Sequence, residues 1–134
     1  MKKISFIIPC FNEEKNVLII YDKIKKIYQQ QNYEVEIVFI DDGSSDNTLY
    51  ELKQIKDSDK KISAKIISFS RNFGKDSAIY AGLKNSTGDY SVIIDADLQQ
   101  NPKLTLDMVE FLEKNKDYNC VCYYQDKRIE NKFI

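Results

Sequence analysis

The sequence predicts an α/β protein in three layers, with a mostly parallel sheet between flanking helices. Two observations carry this expectation. Short runs of β-branched and aromatic residues recur along the chain, and between them apolar residues repeat at three- and four-residue spacing. Strand and helix alternate, and a parallel partner strand can only be reached through a crossover, so each helix is expected to carry the chain back to start the next strand.

The first run, residues 4–8, stops at Pro9 and leads to Val17, Ile20, Tyr21, Ile24, Ile27 and Tyr28, the apolar stripe of a first helix. Residues 35–40 form the second run. Asp46 then stands where a helix cap belongs, ahead of Leu49, Leu52 and Ile55. After a charged loop at 56–61, residues 66–69 give a third strand, and Ile79, Gly82 and Leu83 a third helix. Residues 90–94 are the fourth run. Asn101 and Pro102 mark the start of a helix carrying Leu104, Met108, Phe111 and Leu112. Residues 120–124 complete the set as a fifth expected strand.

Parallel strands joined in this way place every strand-to-helix turn on one edge of the sheet, where ligands of open α/β sheets bind. The turns at 9–14, 41–46 and 95–100 are therefore expected to meet.

Composition excludes several classes. A chain of 134 residues with a net charge of −1 is one domain expected to bury about two thirds of its unfolded surface. Its lysines are scattered and form no basic stripe, so no nucleic-acid partner is expected. No apolar run approaches the roughly 20 residues of a membrane span. Met1-Lys2-Lys3 and the run behind it imitate a signal peptide, but Pro9 interrupts the run and no small-residue cleavage site follows. Cys10, Cys120 and Cys122 are an odd number and the chain has no histidine, which leaves too few ligands for a Cys/His zinc site. They read as reduced, mostly buried thiols of a cytoplasmic protein.

Asp95-Ala96-Asp97 is the most informative local feature, because two carboxylates straddle a small residue at a strand end. Such a pair can hold a divalent cation together with a diphosphate, although a polar loop would look the same in isolation. Asp41-Asp42-Gly43-Ser44-Ser45-Asp46 offers one carboxylate to the crevice and another to cap backbone N–H groups, and an Asp-Gly turn with a helix cap accounts for most of it. In residues 9–14, Pro9, Phe11 and Glu13 combine a rigid residue, an aromatic ring and a carboxylate, as a nucleoside site would, yet a proline stop before an acidic first turn explains nearly as much. Arg71 and Lys75 add cations on the same edge, where they would complement a diphosphate. Neither a Gly-x-Gly-x-x-Gly turn after the first strand nor a Gly-Lys-Ser/Thr loop is present, against dinucleotide oxidoreductases and P-loop nucleotidases.

Together these blocks resemble family 2 glycosyltransferases. The blocks are I-S-F-I-I-P-C-F-N-E-E-K-N at 4–16, E-I-V-F-I-D-D-G-S-S-D-N-T at 36–48, S-R-N-F-G-K at 70–75 and G-D-Y-S-V-I-I-D-A-D-L-Q at 88–99. The branch most similar glycosylates a polyprenyl phosphate, as the dolichol-phosphate mannosyltransferases and bactoprenol glucosyltransferases do. The resemblance implies a GT-A fold, Rossmann-like, and metal-dependent inverting transfer from a UDP- or GDP-sugar at the cytoplasmic face of a membrane. It implies that Pro9, Phe11 and Glu13 contact the nucleoside, Ile40 and Asp42 the base, and Asp95, Ala96 and Asp97 the ribose, metal and diphosphate. Gln99 would lie beside the metal, Mg²⁺ or Mn²⁺, with Asp97 its first ligand, Asp95 its second, and this pair the catalytic carboxylates. Lys75 and Arg128 would complete the donor site.

The resemblance weakens toward the end of the chain. The family continues Val-x-Gly-x-Arg-x-x-Arg, whereas here Tyr123 stands for the glycine and Gln125 for the first arginine, and Arg128 remains. An amide cannot replace a bidentate phosphate contact. Acceptor-binding and membrane-associated segments of the family have no counterpart, so the chain reads as a donor domain truncated on its C-terminal side. Sheet edges left exposed by such a truncation could promote self-association, so a homo-oligomer is one expected partner state. Two other readings compete: a non-catalytic nucleotide-sugar-binding module of the same fold, and a receiver-like signalling domain. The last ranks low because its acidic pair should follow the first strand, where Pro9-Cys10 stands.

Overall fold

The computed structural model describes residues 1–58 and 62–123. Strand β1 (Lys2–Cys10) leads through helix α1 (Val17–Tyr28) to β2 (Tyr33–Asp41), then through α2 (Thr48–Ser58) to β3 (Ser63–Ser68). Helix α3 (Lys75–Lys84) leads to β4 (Tyr90–Ile93), and α4 (Leu104–Lys114) follows. The four strands pair in parallel in the order β3-β2-β1-β4. The chain thus steps outward from β1 to β3 and then returns to the other side of β1. Strand order reverses between β1 and β4, and a crevice opens at the carboxyl ends of strands around such a reversal.

Side-chain alternation on β1 sorts the layers. Phe6 meets the Tyr28 ring of α1 edge-on at 5.3 Å, and α2 packs beside α1 against β2 and β3. Ile7, the next residue, points to the opposite face with Val38 and Ile40, where Ala78 of α3 closes the cluster. Helix α3 lies very close to the sheet, since a Cβ on Gly82 would come within 2.5 Å of Ile7 Cγ2. The chain divides into two compact units, residues 1–103 and 104–134; α4 opens the second, in which the Phe111 and Tyr118 rings lie 5.5 Å apart.

Three expectations require correction. Residues 120–123 are not a strand, and Tyr124 lies outside the described residues. Strand propensity is realised only where a neighbour supplies a ladder, and none pairs with this run among the described residues. The cysteines are not mostly buried, since Cys120 and Cys122 are exposed and only Cys10 is enclosed. The buried residues of α3 are Ala78 and Gly82, while Leu83 faces outward, because only small side chains fit where that helix approaches the sheet. Burial on both faces holds for the central β1 and β2, and the outer β3 and β4 are partly exposed.

One residue breaks the apolar run of β2. Glu36 is fully buried, away from the carboxyl ends of the strands and the turns that follow them, and both carboxylate oxygens are occupied. Its Oε1 accepts from Ser5 Oγ at 2.6 Å and from the Thr87 N–H at 2.6 Å; its Oε2 accepts from Thr87 Oγ1 at 3.0 Å and pairs with Lys65 Nζ at 3.2 Å. Burial alone would raise this carboxyl, but the bonds from Ser5, Thr87 and Lys65 outweigh it and hold it at about 2. The network ties β1, β2, β3 and the turn entering β4 together at the amino end of the sheet.

Candidate functional site

At the opposite, carboxyl end, the turns after β1, β2 and β3 lock onto one another. Asn12, held at φ 53°, donates its N–H to Ser44 Oγ at 2.9 Å and accepts the Ser45 N–H at 2.8 Å. The Glu13 N–H donates to Thr48 Oγ1 at 2.9 Å, and that hydroxyl donates in turn to Asp46, which also accepts the Thr48 N–H at 2.9 Å as the cap of α2. Burial would raise the Asp46 carboxyl, but the Thr48 hydroxyl and N–H and the Glu14 N–H hold it below its ordinary value. The Asp42 N–H donates to the Cys10 carbonyl at 2.8 Å.

Asp42 joins the third turn to the other two. Its buried carboxylate accepts the Phe73 N–H at 2.8 Å and the Gly74 N–H at 3.1 Å, which anchors the entry to α3. Gly43 makes this docking possible. It sits at φ +69°, and an added Cβ would lie 2.3 Å from Arg71 C and 2.4 Å from Asn72 N, both backbone atoms. Gly43→Ala is therefore expected to destabilise the fold by at least about 2 kcal/mol, because the left-handed conformation and the overlap both oppose it. Thermal denaturation of the variant checks this.

These turns enclose an open crevice of about 210 Å³ lined by Pro9, Cys10, Phe11, Glu13, Asp42, Lys75, Asp95, Ala96 and Asp97. Of the residues expected at the site, the structure brings Pro9, Phe11, Glu13, Asp42, Lys75, Asp95, Ala96 and Asp97 together. Ile40 does not reach the crevice: it is fully buried in the cluster under α3. Gln99 does not line it either, although its N–H donates to Asp97 Oδ1 at 3.1 Å beside it. Arg128 lies outside the described residues. Cys10 is the lining residue that sequence reasoning passed over, and its place directly after Pro9 at the end of β1 was the available signal. Burial, with Asp41 and Glu13 nearby, pushes its thiol far up, so it stands in the wall as a neutral group.

The crevice divides into two chemistries. On the β1 side the Phe11 ring is 48 % exposed and free to take a flat apolar partner, beside Glu13, whose carboxylate accepts from Asn16 Nδ2 at 2.8 Å. On the β4 side Lys75 Nζ pairs with Asp95 Oδ1 at 2.6 Å, and Asp97 stands exposed one residue beyond Ala96. Both partners of that pair reach solvent, which leaves it worth about 0–1 kcal/mol. Among the described residues no group of three or more Asp, Glu, His or Cys side chains is placed to hold a metal ion. Two hard carboxylates nevertheless fit Mg²⁺ or Mn²⁺, which are commonly held by one or two carboxylates, with phosphate oxygens and water filling the other positions.

Comparison with known proteins bears on the family and the fold. The protein CsbB of Bacillus subtilis is 41 % identical over 114 residues, 85 % of this chain and 34 % of that protein. A prophage bactoprenol glucosyl transferase homolog of Escherichia coli K12 is 40 % identical over 115 residues, 86 % of this chain and 37 % of that protein. The chain thus spans about a third of the length of these relatives. Among solved structures, the Pyrobaculum calidifontis mannosyltransferase PcManGT in complex with GDP-Man and Mn²⁺ superposes with a TM-score of 0.68 at 26 % identity, covering 83 % of this chain and 32 % of that one. The parallel sheet, with its crevice at the β1–β4 reversal, is accordingly the GT-A fold. The sequence profile of glycosyl transferase family 2 matches residues 5–133, nearly the whole chain, and the protein belongs to that family.

Proposed function

We propose that residues 1–134 are the donor-binding part of a metal-dependent, inverting glycosyltransferase that moves a sugar from a nucleotide diphosphate to a polyprenyl phosphate at the cytoplasmic face of a membrane. The observation that carries this reading is the placement of Asp95, Asp97 and Lys75 in one crevice with Phe11 and Glu13. The names of relatives support the rest: a bactoprenol glucosyl transferase homolog for the acceptor, and a mannosyltransferase complexed with GDP-Man and Mn²⁺ for the donor and metal.

In this reading Phe11 packs against the nucleobase and Glu13 accepts a hydrogen bond from the nucleoside. Asp42, rigidly held by two backbone N–H groups, presents a fixed acceptor edge to the same moiety. Asp97 and Asp95 would hold Mg²⁺ or Mn²⁺, and the chemistry such a cation would supply there is positive charge opposite the departing diphosphate. Lys75 adds a second positive charge to that diphosphate, at the start of α3 where the helix dipole is also favourable. An acceptor phosphate, with a second pKa of about 6, is already anionic near neutral pH and needs no dedicated base.

Calorimetry with UDP, GDP and their sugars, with and without Mn²⁺, tests the reading. Metal-dependent binding of at least one of them is expected, and none binding in either condition overturns it. A non-catalytic module is favoured by one feature, the replacement of a phosphate-binding arginine by Gln125. A transfer assay with short polyprenyl phosphates on this chain decides between the two.

A further inference from the structure

We propose that Lys75 is an electrostatic placeholder in the crevice: its ammonium occupies Asp95 until a divalent cation and a diphosphate arrive together, which makes their binding cooperative. The inference deepens the reading of the crevice as a donor site and rests on it.

Three features of the crevice point to such an exchange. The ammonium sits 2.6 Å from Asp95 Oδ1, on the carboxylate that a cation would need as its second protein ligand. Asp97 is the exposed member of the pair, and among the described residues its recorded partner is a backbone N–H, from Gln99. The root of Lys75 is fixed while its tip is not: the preceding Phe73 and Gly74 N–H groups are clamped by buried Asp42, whereas the Lys75 side chain is 57 % exposed.

The consequence follows from charge. With the ammonium on Asp95, an incoming Mn²⁺ meets the Asp97 carboxylate and the repulsion of a nearby positive charge, so binding of the cation alone is weak. A diphosphate offers the ammonium a better partner with more charge and more acceptor oxygens. When Lys75 moves to a phosphate oxygen, Asp95 is released to the cation, and each ligand thereby strengthens the other. Such coupling is reciprocal by thermodynamic necessity.

The test begins with Mn²⁺ titrated into the nucleotide-free chain, with free Mn²⁺ read by electron paramagnetic resonance. Lys75→Gln is expected to bind Mn²⁺ about three- to tenfold more tightly than wild type, because the competing charge is gone. Lys75→Arg, which keeps the charge, is expected to stay close to wild type. Calorimetry with UDP and with GDP at saturating Mn²⁺ is the second arm, in which Lys75→Gln is expected to lose about tenfold in nucleotide affinity. Unchanged or weaker Mn²⁺ affinity in Lys75→Gln, or equal tightening in Lys75→Arg, overturns the placeholder while leaving the donor-site reading intact. Failure of wild type to bind either nucleotide with Mn²⁺ overturns the donor-site reading itself, and the diphosphate half of the coupling with it.

Discussion

Asp97→Asn is expected to weaken Mn²⁺-dependent binding of UDP or GDP about 100-fold, equivalent to ~2.7 kcal/mol, while the ligand-free protein melts at an unchanged temperature. The two halves of that expectation have different causes. The lost charge matters for binding because a hard divalent cation depends on anionic oxygen, and an amide oxygen offers a dipole in its place. Stability is spared because Asp97 is exposed and its role within the fold is to accept the Gln99 N–H, which an asparagine oxygen also accepts. Leu98, at φ 67°, keeps the same turn in both proteins. Nucleotide binding without metal should be equal in the two, since Phe11 and Glu13 stand on the other side of the crevice. The metal assignment is wrong if nucleotide plus Mn²⁺ stabilises the variant against heat as much as it stabilises wild type.

The second large effect lies at the other end of the sheet and concerns acid stability. The Glu36 carboxyl is at about 2 in the folded protein, against an ordinary 4.5. A depressed carboxyl stabilises the fold at pH values above its unfolded value, and that contribution is lost as pH falls from about 4.5 toward about 2. The drop corresponds to ~3 kcal/mol, a large part of the 5–15 kcal/mol that holds a typical domain together. Glu36→Gln is expected to lose about that much at pH 7. Its amide NH₂ group must face one of the donors, Ser5, Thr87 or Lys65, that the carboxylate satisfied. Urea denaturation of both proteins at pH 7, 4.5 and 3 checks this: the difference between them should shrink on the acid side. A difference that stays constant with pH would show that Glu36 is not the titrating group.

Much of this was legible because the relevant physics is local. The four apolar runs that became β1 to β4 and the stripe Val17, Ile20, Tyr21, Ile24 and Tyr28 announce themselves by period, and parallel connection alone sends their turns to one edge. Other features depend on partners that a linear reading does not show. Residues 120–123 have strand-like side chains, but no neighbouring ladder meets them among the described residues. Glu36 resembles an ordinary polar interruption of β2 until Ser5, Lys65 and Thr87, remote in the chain, are seen around it. Ile40 shares its parity with Asp42, which makes a common role plausible on paper, yet the strand carries Ile40 one step too deep, under α3. The Lys75–Asp95 pair joins two blocks twenty residues apart, and only the return of β4 to the side of β1 brings them into contact.

The carboxylates that would grip the cation hang from the shortest strand described, at one side of the sheet. β4 has four residues and, among those described, a ladder on one side only, continued by the Ile94 N–H to the Ile7 carbonyl. Short edge segments of this kind open and close well before a domain unfolds as a whole. If the crevice takes its donor as proposed, occupancy and closure of β4 against β1 would be linked, so that a bound donor would also act as a clasp on the strand that presents it.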